Sequence, residues 1–117
     1  MNIEVKQHHI ELQGSVIDNI RRHIAADLER FTHLIRRVRV QIADINGPRG
    51  GEDKSCRIQV YLKRAPSVII EDRGMGILAV VGRAVARVDM AMSRAADRIR
   101  GRRRSKGRAS AYQLRTA

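Results

Sequence analysis

The sequence predicts an α+β domain of order β-α-β-β-β-α, a four-stranded, mainly antiparallel sheet with two helices on one face. Four short runs alternate apolar and polar residues, as half-buried strands do, and two longer runs repeat apolar residues in steps of three and four, as amphipathic helices do. The length of 117 residues suits one domain with a single modest core.

"NIEVK" (2–6) is the first strand, with β-branched Ile3 and Val5 in alternation. From about residue 15, with Ser15 as a candidate N-cap, Val16, Ile17, Ile20, Ile24, Leu28, Phe31, Leu34 and Ile35 recur at helical spacing. On a helix of about 100° per residue they fall within roughly 120° of the circumference. Arg22, Arg30 and His33 lie off that stripe.

"RRVRVQIAD" (36–44) and "KSCRIQVYLK" (54–63) alternate again. Val38, Val40, Ile42, Cys56, Ile58, Val60 and Leu62 form the inward set; Arg37, Arg39, Gln41, Ser55, Arg57, Gln59, Tyr61 and Lys63 point away. Between them, Gly47, Pro48, Gly50 and Gly51 mark a long hairpin loop. The loop lacks the following helix and the Gly-Lys-Ser/Thr ending of a phosphate cradle, although Arg49 and Lys54 could touch an RNA backbone. "PSVIIED" (66–72) is the fourth strand.

The last helix begins near Gly74 and Gly76 and carries Ile77, Leu78, Val81, Val85, Val88, Met92 and Ile99 on its apolar stripe. Arg83, Arg94, Arg87 and Arg98 project at about 0°, 20°, 40° and 60° on the same wheel, a single ridge. Like charges stacked this way destabilise an isolated helix by about 0.2–0.5 kcal/mol per pair, so the ridge calls for compensation from outside the chain. After Arg100, "GRRRSKGRASAYQLRTA" has no apolar period. Residues 1–100 are therefore expected to be the domain and 101–117 a disordered basic tail, in which Arg102, Arg103 and Arg104 are further candidate contacts.

Lysine and arginine total 24 against 12 acidic residues, a formal charge of +12, which implies a polyanionic partner. No apolar run nears the roughly 18 residues of a membrane span, and the N-terminus has no signal-peptide core; a cytoplasmic location with no membrane partner is expected. Cys56 stands alone, and His8, His9, His23 and His33 lack zinc-ligand spacing, so no metal or other cofactor is implied. The scattered carboxylates and the absence of a nucleophile in register with a base speak against an enzyme and against a small-molecule substrate. Aromatic stacking is poorly provided for: of one phenylalanine and two tyrosines, only Tyr61 falls on the outward sheet face. Phosphate-backbone recognition fits better, and a monomer is expected.

The element order and three phrases, "MNIEVKQHHIEL", "LERFTHLIRRVRVQI" and "DINGPRGGEDKSCRIQV", resemble the ribosome hibernation-promoting factor family, also called ribosome-associated inhibitors, in its short form. The likeness covers about residues 1–100. It implies a fold akin to the double-stranded-RNA-binding domain, and a basic surface lodged in the mRNA and tRNA channel of the small ribosomal subunit. By that resemblance Arg22 and Arg30 of the first helix and Arg83, Arg87, Arg94 and Arg98 of the second would contact rRNA phosphates. Two features depart from the family: the second helix opens "GMGILAVVG" without the usual tyrosine, and the tail is basic. Charge alone also admits a sequence-indifferent nucleic-acid compaction protein, or a regulatory module that meets an acidic protein.

Overall fold

In order along the chain are β1 (Ile3–His8), α1 (Gly14–Leu28), a 3-10 helix (Glu29–Leu34), β2 (Ile35–Asp44), β3 (Lys54–Leu62), β4 (Val68–Gly74) and α2 (Ile77–Thr116). The computed structural model describes residues 1–45 and 54–116, with side chains as far as Gly101. The expected hairpin loop, with Gly47, Pro48, Arg49, Gly50 and Gly51, lies outside the described residues.

The sheet order is β1-β2-β3-β4. β1 runs parallel to β2, because α1 carries the chain back across one face, and the other two pairs are antiparallel. Register lines up the inward rows Ile3/Val38/Val60/Val68 and Val5/Val40/Ile58/Ile70 across all four strands. A slip of one residue would turn both rows to water, so burial fixes the register. Val38, Val40, Ile42, Cys56, Ile58 and Val60 are wholly buried beneath Ile20, Ile24 and Leu28 of α1 and Val80, Val85, Val88 and Met92 of α2.

The helices depart from expectation in three places. The first apolar stripe does not stay α-helical to Ile35: the helix tightens into the 3-10 form after Leu28, and Ile35 opens β2. Steps of three from Leu28 to Phe31 to Leu34 suit a helix of three residues per turn, which keeps Phe31 buried and Leu34 partly so. Ser15 is not the cap: α1 begins at Gly14 after an extended Gln13, whose carbonyl accepts from the Val16 and Ile17 N–H groups. Leu78 is exposed, and Val80, Ala84 and Ala95 complete the buried face of α2 in its place.

Ser55, expected outward, is buried between its register neighbours Ala43 and Arg73. β4 starts and ends two residues later than expected, and Lys63 falls just past β3, its N–H donating to the Leu34 carbonyl. α2 folds back against the end of β4 at Gly74, where a Cβ would lie 2.8 Å from the buried Val80 Cγ2 and 2.5 Å from Arg83 Nη2. α2 continues past Arg100 to Thr116. The side chains of Arg102, Arg103 and Arg104 lie outside those described, and the division into domain and basic tail stands as an expectation.

Burial, reinforced by the nearby Asp72 carboxylate, pushes the Cys56 thiol up to about 12. The native thiol is therefore expected to resist a thiol-disulfide probe at pH 8 and to react fully once the chain is unfolded in denaturant. The raised value also sets a sign: stability supported by the neutral thiol is intact below about pH 9 and falls as pH rises toward 12. Alkaline unfolding of a Cys56→Ala variant, compared with the parent over that range, checks it.

Candidate nucleic-acid interface

α2 returns along β4, an edge strand of the sheet, and this placement turns the arginine ridge into a built feature. Arg83 Nη2 donates to the Arg73 carbonyl at 2.8 Å and reaches Asp72 Oδ1 at 3.4 Å. One turn on, Arg87 Nη1 donates to the Glu71 carbonyl at 2.8 Å and lies 3.8 Å from Asp72 Oδ2. Asp72 also accepts from the Arg73 N–H at 2.8 Å. It can do all this because its register pairs it with Cys56, on the inward side of the sheet beneath the edge of α2.

The compensation that the ridge calls for is thus supplied in part from within, by two strand carbonyls and one largely buried carboxylate. This pins the guanidinium groups without removing them from solvent. Arg83 and Arg87 remain 52% and 53% exposed, and a guanidinium has five donors. Arg94 and Arg98 continue the same edge, Arg98 beside the turn that leads into β4, and neither has an ion pair or hydrogen bond among the described residues. From Arg83 to Arg98 the ridge runs about 22 Å, at about 1.5 Å per residue. That is long enough to follow several successive phosphates of one strand.

The two positions expected on the first helix, Arg22 and Arg30, are not brought onto this edge. Arg22 is exposed on the wet side of α1, with no partner among the described residues. Arg30 follows α1 and crosses to the other flank of α2, where Nη2 donates to Asp89 Oδ1 at 2.9 Å and Ser93 Oγ at 3.0 Å. Those partners sit about 130° round α2 from the ridge. Its guanidinium also covers the Phe31 ring, 4.4 Å from the centroid. Arg30 therefore ties the 3-10 helix to α2 while remaining largely exposed.

The open sheet face is a weaker candidate. Its rows Glu4/Arg39/Gln59/Ile69 and Lys6/Gln41/Arg57/Glu71 mix signs. Arg37 is engaged over the Tyr61 ring at 4.2 Å. Lys54 pairs with Asp44 at 3.1 Å at the base of the hairpin.

Sequence reasoning put Lys63 on the open sheet face with Arg37, Arg39 and Arg57; the structure groups it instead with Arg64. Both line a cleft between the 3-10 helix, the turn after β3 and α2. The available signal was the pair "KR" just before Pro66, which marks a turn rather than a continuing strand. Among the described residues no three of His, Cys, Asp and Glu gather as a metal site, and no helix is long and apolar enough to cross a membrane.

No protein-family model and no curated sequence matches the chain. Solved structures do match its fold. The N-terminal domain of Protein Y from Thermus thermophilus is 23% identical with a TM-score of 0.66, over 80% of this chain and 98% of that one. A ribosomal subunit interface protein from Coxiella burnetii is 13% identical with a TM-score of 0.65, over 83% of this chain and 99% of that one.

Proposed function

We propose that this chain is a ribosome-associated factor of the hibernation-promoting kind. It binds small-subunit rRNA within the mRNA and tRNA channel and, by occupying that space, keeps translation from starting. The observation that carries this reading is the arginine edge of α2: four exposed guanidinium groups in line, two of them, Arg83 and Arg87, pinned by β4. The fold shared with a protein described as a ribosomal subunit interface protein supports a ribosomal partner for that edge. Arginine suits the task because its planar donors reach phosphate oxygens in pairs and its charge is permanent. Bound counterions released from the RNA supply much of the drive, so affinity falls with salt.

Cosedimentation with purified ribosomal subunits over a salt series tests the reading. The protein is expected to pellet with the small subunit at physiological salt, to be displaced by an mRNA–tRNA complex, and to leave the pellet as salt rises. Equal affinity for free duplex and for the small subunit would instead favour a compaction protein. Association that survives nuclease treatment would favour an acidic protein partner.

A further inference from the structure

The cleft beside Lys63 and Arg64 has a volume of about 690 Å³ and lies on the flank of α2 away from the arginine ridge. Its floor is apolar: Phe31 and Ile99 are buried there, and Leu34 and Ala96 are half-buried. Its mouth is cationic. Arg30 and Arg100 are already engaged, with Asp89 and Asp97 respectively, whereas Lys63 and Arg64 have no side-chain partner among the described residues. The 3.0 Å bond from the Lys63 N–H to the Leu34 carbonyl holds the turn that presents them against the floor.

We propose that this cleft binds a single nucleotide, its base on the floor between Leu34, Ala96 and Ile99 and its phosphate on Lys63 and Arg64. An inorganic anion would leave the apolar floor unused, and an apolar ligand would leave the cations unmatched. A nucleotide carries both halves on one molecule, and the volume is within the usual range for small-ligand sites. The same chemistry comes from two sources, a free nucleoside diphosphate or one residue of a bound RNA strand. The site uses none of the four ridge arginines, so it goes beyond the ribosome reading and does not depend on it.

Equilibrium binding of ADP, adenosine, pyrophosphate and a ten-nucleotide oligoadenylate to the full chain tests the proposal. The chains compared are the parent, the Lys63→Ala/Arg64→Ala double variant and Ala96→Trp, which fills the floor. For a free ligand, ADP is expected to bind about tenfold or more tighter than either of its halves, and both variants to weaken it about tenfold or more. For a strand residue, ADP binds no better than pyrophosphate, but Ala96→Trp weakens the oligonucleotide about tenfold. Methyl resonances of Leu34, Ala96 and Ile99 in the parent should shift with whichever ligand binds, a readout that holds even if Ala96→Trp unfolds. If those methyls move with neither ADP nor the oligonucleotide, the proposal is overturned.

Discussion

The Arg94→Glu/Arg98→Glu variant is expected to lose small-subunit binding at physiological salt while keeping the unfolding temperature of the parent. These two side chains are exposed and have no ion pair or hydrogen bond among the described residues, and surface substitutions of that kind stay within about 0.5 kcal/mol. A charge-assisted contact to phosphate contributes about 1.5–3 kcal/mol. Removing two of them by alanine should therefore weaken binding about a hundredfold or more, and reversal adds repulsion to that loss. The plot of log affinity against log salt should also flatten by about 1.4–1.8 for the alanine pair, from about 0.7–0.9 per phosphate released. Arg83→Ala/Arg87→Ala should behave differently. It removes two contacts to β4 carbonyls and leaves Asp72 without its arginines, so binding and unfolding temperature fall together. If the 94/98 reversal bound ribosomes like the parent, the α2 edge would not be the contact surface.

Phe31→Ala is expected to be the most damaging single truncation, at about 3–5 kcal/mol. Phe31 is the chain's one phenylalanine, 6% exposed, and it plugs the core where α1 gives way to the 3-10 helix. Its ring also carries the Arg30 guanidinium that ties the 3-10 helix to α2. Domains of this size have only about 5–15 kcal/mol in total, so thermal unfolding should drop by about 15 °C or more. Phe31→Leu, which keeps most of the volume, should recover the larger part of that loss. Calorimetry of the two variants beside the parent measures the difference.

The strands were legible because one buried face imposes a period of two. Val38, Val40, Ile42, Cys56, Ile58 and Val60 sit where alternation puts them. The end of α1 was not legible, because Leu28, Phe31 and Leu34 satisfy a helical period and a 3-10 period equally well until β2 claims Ile35. The arginine ridge followed from helical spacing alone. Its supports did not: the Glu71 and Arg73 carbonyls and the Asp72 carboxylate come near α2 only through the pairing of β4 with β3 and the tight return at Gly74. Arg30 shows the limit from the other side. Lying off the apolar stripe, it looked free, but the crossing of the helices brings Asp89 and Ser93 to it.

The two guanidinium groups that grip the Arg73 and Glu71 carbonyls do so on one of the two outermost strands of the sheet. A bare rim of that kind is a template onto which another extended chain can add, the first step toward fibrils and insoluble clumps. With two of its carbonyls capped by cations and α2 packed along it, that margin offers a stray strand fewer free acceptors than a bare one would.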